Sequence, residues 1–142
     1  MKLLKLLRLD FLPKSVDLGL LALRVWVGLS MLLLHGWDKL SNFGEKSEKF
    51  FDFLGLGPKI SLSMAIMGEF GGSILLILGL FTRLGALLGA VTMSVAFFMV
   101  HQAALSGPKS GEMAFMYLAA YVALLIAGGG RFSFDAATGG KA

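Results

Sequence analysis

Five ionisable residues interrupt or end the apolar stretches of this chain, and they are the residues best able to do chemistry: Arg24, His35, Glu69, His101 and Glu112. An ionisable side chain within hydrocarbon costs about 2.5–3.5 kcal/mol on insertion scales and usually faces the interior of a helix bundle. Histidine titrates near neutral pH, so two imidazoles with two carboxylates form a plausible proton relay. No His-x-x-x-His pair or third ligand accompanies them, and no metal or haem is expected.

The spacing of these residues predicts two groups. Arg24 and His35 are eleven residues apart, about three helical turns, and share one helix face. His35, His101 and Glu112 are expected at one depth near the outer surface, with Glu69 roughly 13 Å below it. We therefore predict an ion pair between Arg24 and Glu69. We also predict that His35, His101 and Glu112 form one site that opens outward and binds a small polar-headed ligand.

Each group also has a plainer interpretation. The pair of Arg24 and Glu69 is either part of a relay or a structural ion pair that locks two helices together. The two histidines either share the ligand site or lie separately at the interface, hydrogen-bonded to loop carbonyls. The residue types alone do not separate these alternatives.

Four apolar stretches must position these side chains, at about residues 18–34, 60–81, 84–100 and 113–127. Each is near the roughly 20 residues that a helix needs to span a bilayer. The runs are continuous and lack the alternation of a membrane strand, so they predict helices. The expected fold is an all-α integral membrane protein, an antiparallel bundle of four transmembrane helices with both termini on one side.

The composition agrees with a membrane protein. Of 142 residues, 56% are hydrophobic and 15% charged, against about 45–50% and about 25% in soluble domains. A chain of this size cannot bury that much apolar surface in one soluble core. The net charge is +4, but the basic residues flank the apolar runs, a pattern of membrane proteins rather than of nucleic-acid binders. Without cysteine, any redox chemistry needs a bound cofactor or a partner.

Two segments lie outside the apolar runs and have their own predictions. Residues 1–15 place leucines on one helix face and basic residues on the other, which predicts a helix on an anionic membrane surface or, alternatively, a frayed basic tail. Residues 36–60 are rich in aromatic side chains. They suggest an interfacial or partly re-entrant cap, or a docking surface for another membrane subunit. The excess of Lys and Arg around the termini and residue 83 favours cytoplasmic termini.

The ordered motifs of the chain resemble the DoxX family of small four-helix bacterial membrane proteins. The resemblance covers about residues 18–136 and leaves out the amphipathic start and the glycine-rich tail. We therefore divide the chain into an interfacial segment (1–15), a DoxX-like membrane domain (16–136) and a flexible tail (137–142). The matching pieces are Leu23-Arg24, His35-Gly36-Trp37-Asp38-Lys39-Leu40, Glu69-Phe70-Gly71-Gly72, Gly79-Leu80-Phe81-Thr82-Arg83-Leu84, His101, Gly111-Glu112 and Gly130-Arg131-Phe132-Ser133-Phe134-Asp135.

The resemblance implies a function that the residues alone do not. The family is similar to the DoxD small subunit of thiosulfate:quinone oxidoreductase, which implies a quinone-linked redox subunit of the bacterial inner membrane. A partner subunit would then supply the electron-transfer group, and quinone is the expected cofactor. Proton-coupled transport or permeation of a small solute is the main alternative, and it would favour a homo-oligomer. A non-catalytic assembly or scaffold subunit is the third. Whether the chain is itself an enzyme stays open.

Overall fold

The computed structural model describes residues 1–140, and within that range the chain forms helices joined by turns and loops, with no strand. Three of the helices are long and apolar enough to cross a membrane, and a fourth apolar helix is shorter. The predicted all-helical fold is therefore confirmed, with three of the four predicted spans reaching the required length. The helices are α1 (Lys2–Leu7), α2 (Val16–Ser41), α3 (Phe43–Lys46), α4 (Pro58–Leu78), α5 (Thr82–Val100), α6 (Glu112–Ala127) and α7 (Phe134–Ala137).

Helix α2 is longer than the sequence predicts, because it does not stop at residue 34. A π-helical turn at Leu32–Gly36 accommodates an extra residue without breaking the helix, which continues to Ser41. Helix α3 follows almost at once. The first part of the 36–60 connection is thus a helical extension of α2 rather than a re-entrant turn. An interfacial position of this segment stays a prediction.

The ends of the long helices follow local sequence signals. The Ser15 hydroxyl accepts a hydrogen bond from the Leu18 N–H at 3.2 Å and caps α2. Pro58 occupies the first turn of α4, where its missing N–H costs nothing. Gly79 adopts a left-handed conformation (φ 68°) and ends α4, a role that suits glycine because it has no Cβ. Helix α5 begins three residues later, at Thr82.

Close packing between glycines and neighbouring helices holds the bundle together. Helix α2 packs on α4, α4 on α5, α5 on α6, and α6 on α2. A Cβ at Gly85 would lie 2.8 Å from the Gly72 carbonyl oxygen, and one at Gly89 would lie 2.5 Å from the Tyr121 ring. The small residues of α5 therefore serve contacts within the chain. The outer surface carries exposed apolar side chains such as Leu33 and Phe98.

A short helix lies near each end of the described chain. Helix α1 forms at the predicted amphipathic segment and buries none of its residues, so the membrane contact of this segment stays a prediction. The predicted tail begins at the last residue of α7, which the Ser133 hydroxyl caps by accepting from the Ala136 N–H. Residues 141–142 of that tail lie outside the described residues.

Candidate functional site

Two π-helical turns contact each other beside two of the predicted site residues, His35 and Glu69. One is the turn at Leu32–Gly36 in α2, and the other spans Met67–Gly71 in α4. A Cβ at Gly36 would lie 2.9 Å from backbone atoms of Glu69, so only glycine permits this approach. Single π turns inside α-helices occur frequently at functional sites, because they redirect side chains and backbone groups. Here they bring His35 and Glu69 to adjoining positions in neighbouring helices.

Glu69 is paired with Lys39, a residue that lies beyond the first apolar run of the sequence. The Lys39 Nζ lies 2.6 Å from a Glu69 carboxylate oxygen. The Glu69 side chain is only 7% exposed and that of Lys39 is 19% exposed. Lys39 reaches this position because α2 continues past residue 34 and places it one turn beyond His35. A buried charge needs a partner of this kind to offset the cost of leaving water.

His35 joins the pair to two hydroxyl groups in the bundle. The imidazole contacts the Tyr117 ring edge-on, with 5.7 Å between ring centroids. The Tyr117 and Ser30 hydroxyls share a hydrogen bond of 2.7 Å. We call these five residues, Ser30, His35, Lys39, Glu69 and Tyr117, the Glu69 cluster.

Further residues surround the Glu69 cluster. Trp37 and Phe70 place their rings 6.4 Å apart beside it. The Asp38 carboxylate accepts a hydrogen bond from the Lys46 ammonium group, and both side chains are largely exposed. Tyr121 is buried, and its ring stacks on Tyr117 at 6.4 Å. The cluster therefore has the buried ring of Tyr121 on one side and the partly exposed groups of Trp37, Asp38 and Lys46 near it.

The predicted ion pair between Arg24 and Glu69 is wrong. The Arg24 guanidinium is 2% exposed and donates to the carbonyl oxygens of Leu76 and Ile77 at 2.9 and 2.8 Å, and of Phe132 at 2.6 Å. The Leu76 and Ile77 carbonyls lie near the end of α4, about two turns beyond Glu69. Arg24 thus bonds to backbone at the last turn of one helix and in the chain after α6, and Lys39 takes the role of partner to Glu69.

Asp135 completes the arrangement around Arg24. Its carboxylate accepts hydrogen bonds from the N–H groups of Phe81 and Thr82 at 2.7 and 2.8 Å, at the start of α5. Burial raises the pKa of Asp135, but these hydrogen bonds and the charge of Arg24 outweigh it, so the pKa lies below the ordinary value. Arg24 and Asp135 together tie the segment after α6 to the α4–α5 turn.

The prediction that His35, His101 and Glu112 form one site is not supported by the contacts of residues 1–140. The His101 Nδ1 lies 3.0 Å from the Lys109 carbonyl oxygen, so this imidazole bonds to its own loop. Glu112 is exposed at the start of α6, and its N–H donates to the Ser110 hydroxyl. This contact with a loop carbonyl is the one that the interfacial alternative expects for His101, whose position at a membrane interface stays a prediction. His35 belongs instead with Lys39 and Glu69, residues that the extension of α2 and the π turns bring to it.

Sequence reasoning missed Lys39 and Ser30 as members of the cluster. Lys39 was hidden because the apolar run ends at residue 34, although His35 and Lys39 are four residues apart and would share one face of a longer helix. Ser30 carries no charge and gives no signal within an apolar run. No group of three or more His, Asp and Glu side chains suited to holding a metal ion occurs in the described part of the chain.

The cluster has the components of a proton-handling, hydrogen-bonding site. Lys39 and His35 can donate hydrogen bonds to a ligand oxygen, and the Glu69 carboxylate can accept them. The apolar surroundings strengthen these interactions relative to water. These features define the class: a small all-helical membrane protein with a buried polar cluster between its helices.

Comparison with known proteins gives the family. The DoxX family profile matches residues 19–102. An uncharacterized protein of Haemophilus influenzae is 33% identical over 110 residues, which cover 74% of this chain and 80% of that protein. The inner membrane protein YqjF of Escherichia coli is 27% identical over 130 residues, 87% of this chain and 95% of that protein. No solved structure matches. The chain belongs to the DoxX family.

Proposed function

We propose that this protein is the membrane-embedded, quinone-linked subunit of a redox assembly, and that the Glu69 cluster is its head-group site. The observation that carries the proposal is the buried ion pair of Lys39 and Glu69 beside His35, at the contact of two π-helical turns. Bilayer proteins rarely keep such charges unless they serve binding, proton movement or a pathway.

The donor set of the cluster fits a quinone head group. A quinone presents two carbonyl oxygens and exchanges two electrons and two protons when it is converted to the quinol. Lys39 and His35 would donate hydrogen bonds to a carbonyl oxygen, and Glu69 would exchange protons with the solvated side of the cluster. The rings of Trp37 and Tyr117 would pack against the flat ring of the ligand. The electrons would come from a partner subunit that carries a redox group.

The proposed setting is the bacterial inner membrane. The family relative YqjF is an inner membrane protein, and three helices of this chain have the length and composition to cross a bilayer. We propose that α6 is the fourth span and that both termini are cytoplasmic. The Lys and Arg distribution supports this orientation, because positively charged flanks favour the cytoplasmic side.

Labelling of single cysteines tests the orientation, since the chain has none of its own. Glu48→Cys and Thr138→Cys replace exposed residues on the two proposed sides. An impermeant thiol reagent added to intact spheroplasts should label position 48 and leave position 138 unlabelled until the membrane is opened. Labelling of both positions in intact spheroplasts would contradict four spans.

Binding of a tailless quinone tests the head-group site. Menadione, which has the naphthoquinone ring and no long tail, is titrated into the purified protein by calorimetry. Glu69→Gln and Lys39→Met should each weaken binding at least tenfold, because each removes a charged partner from the site. The matched control is Lys46→Gln, which breaks the exposed pair with Asp38 and should bind as the unaltered protein does. Equal binding by all four proteins would refute the site.

Experiments on the same purified protein test two other functions. Proton-coupled solute flux in proteoliposomes, abolished by Glu69→Gln, would replace the redox proposal with transport. Absence of both flux and quinone binding, together with stable copurification of a second protein, would replace it with a scaffold role.

A further inference from the structure

Helix α1 has two chemically different faces, and the proposed function uses neither. It buries none of its residues. At about 100° per residue, its leucines cover an arc of about 160°, and the three basic residues Lys2, Lys5 and Arg8 share the rest of the circumference. Arg8 still has helical backbone angles. The leucines are each at least 55% exposed: Leu3, Leu4, Leu6 and Leu7.

A helix of six residues is too short to be stable in water by itself. Helices below about 12–15 residues are marginal in isolation, and most helical stability in proteins comes from packing of an apolar face. Helix α1 has such a face but buries none of it against the described chain. Its stability therefore requires a surface outside the chain that covers the leucines and accepts the basic side chains beside them.

The chain holds α1 close to the membrane. The candidate span α2 begins at Val16, and residues 9–15 connect α1 to it. Seven residues reach at most about 25 Å, so α1 cannot move further than this from the level at which α2 enters the bilayer. The head-group layer around the start of α2 is thus always within reach of the leucines.

The charges at this end of the bundle favour an anionic surface. The start of α2, the α4–α5 turn and the segment after α6 meet here, because Asp17 bonds to the Arg131 N–H and Asp135 to the N–H groups that begin α5. Hydrogen bonds within the chain engage the acidic side chains of this end: Asp10, Asp17 and Asp135. The basic side chains of α1, in contrast, form no ion pair within residues 1–140. Their charge is complementary to that of anionic phospholipid head groups.

We propose that α1 is a binding segment for anionic phospholipids. It lies in the surface of the membrane, with its leucines among the upper acyl chains and Lys2, Lys5 and Arg8 against lipid phosphates. Basic amphipathic helices bind membranes in this way, through burial of the apolar face and attraction to anionic lipid. This role is independent of the Glu69 cluster, because it requires only the attachment of α1 to a membrane span.

Spin labels on the two faces of α1 test this position. The chain has no cysteine, so Leu7→Cys and Lys5→Cys each provide a single site for a nitroxide label. The labelled proteins are placed in nanodiscs that contain phosphatidylglycerol and hold one copy each. A neutral nickel complex, which stays in the water, reports the exposure of the label without bias from the surface charge. We expect the nickel accessibility to be at least fivefold lower at position 7 than at position 5.

Removal of the basic face separates the contribution of charge from that of the leucines. The variant Lys2→Gln/Lys5→Gln/Arg8→Gln, labelled at position 7, should show at least threefold higher nickel accessibility there. The same rise is expected for the unaltered basic face in discs of phosphatidylcholine alone. Because α1 buries none of its residues, the variant should unfold in detergent at the same temperature. The matched control keeps the low accessibility of position 7 and replaces three exposed lysines outside α1: Lys49→Gln, Lys59→Gln and Lys109→Gln.

Three results would overturn the proposal. Equal accessibility of positions 5 and 7 in phosphatidylglycerol discs would mean that α1 lies free in water. Low accessibility of position 7 in both lipids and in the variant without the basic face would mean that the leucines alone hold α1, with no preference for anionic lipid. Protection of position 7 only in discs that hold two copies would assign α1 to a second copy of the chain.

Discussion

The two buried charges of the bundle, at Arg24 and at Glu69, are satisfied in different ways. Arg24 directs its hydrogen bonds to three backbone carbonyls, which cannot change protonation state. Glu69 bonds to the ammonium group of Lys39, a side chain that is 19% exposed. The first arrangement connects a side chain to the backbone of two segments, and the second connects two charged side chains. Burial of a charge is therefore compatible with either kind of partner, and we propose a function only for the second.

Replacement of Arg24 should have the largest effect on stability. Arg24→Gln removes a charged donor from three buried or half-buried carbonyls, and hydrogen bonds to charged groups contribute about 1.5–3 kcal/mol each. We expect a loss of more than about 3 kcal/mol in the free energy of unfolding, measured by denaturation in detergent. Arg83→Gln, which loses a single exposed bond to the Leu125 carbonyl, should cost less than about 1 kcal/mol.

The same measurements separate Arg24 from Glu69. The double variant Arg24→Gln/Glu69→Gln should show losses that add, because the two residues do not share partners. If the double variant is more stable than the sum of the single losses predicts, Arg24 and Glu69 interact directly. The contrast between the two sites would then be wrong.

Breaking the pair of Lys39 and Glu69 should have the second largest effect. Glu69→Gln leaves the lysine unpaired, and we expect a loss of about 3 kcal/mol, the low end for buried pairs, because Lys39 is partly exposed. A double-mutant cycle with Lys39→Met should give strongly non-additive losses in detergent denaturation. Asp38→Asn, which breaks the exposed pair with Lys46, should cost about 0–1 kcal/mol. Equal losses of stability from the buried pair and from the exposed pair would show that burial does not strengthen the ion pair.

Disturbing the packing between the two π-helical turns should have the third largest effect on stability. Gly36→Ala brings a Cβ to 2.9 Å from the backbone of Glu69, and overpacking of this kind costs about 1–3 kcal/mol. Menadione affinity should fall with stability, because the contact that places Glu69 beside His35 is displaced. Gly44→Ala meets nothing within 4 Å and should be neutral or stabilising. If Gly36→Ala behaves in the same way, the close approach of the helices does not position the cluster.

The sequence predicted the helices far better than it predicted their contacts. Continuous apolar runs indicate membrane helices because the requirement for internal backbone hydrogen bonds leaves few alternatives. Depth estimates from the rise per residue brought Arg24 and Glu69 to nearly the same level. They contained no information on whether the long arginine side chain would reach a carboxylate or the backbone carbonyls at the end of α4.

The sequence predicted only part of the candidate site, again because it contains little information on contacts between side chains. Glu69 is buried, as the cost of a charge in hydrocarbon predicts, whereas His35 is half-buried. Lys39 was missed because the end of an apolar run was equated with the end of a helix, and a π-helical turn gives no signal in composition. His101 and Glu112 seemed to complete the site because only depth was considered, whereas their hydrogen bonds are made within the loop and turn beside them.

The smallest effect should come from Asp135, which belongs to the Arg24 arrangement but can titrate. Its pKa lies below the ordinary value in the folded protein, so its contribution to stability is fully present above the unfolded pKa of about 3.9. The contribution is lost as the pH falls through the lower, folded pKa. Asp135→Asn should cost about 1 kcal/mol near neutral pH, the usual value for a helix cap. It should also flatten the fall in stability below about pH 4, whereas Asp10→Asn, which breaks an exposed pair with Lys14, should change neither. Denaturation in detergent from pH 3 to 7 measures both quantities, and an unchanged acid slope in Asp135→Asn would show that the carboxylate does not hold the start of α5.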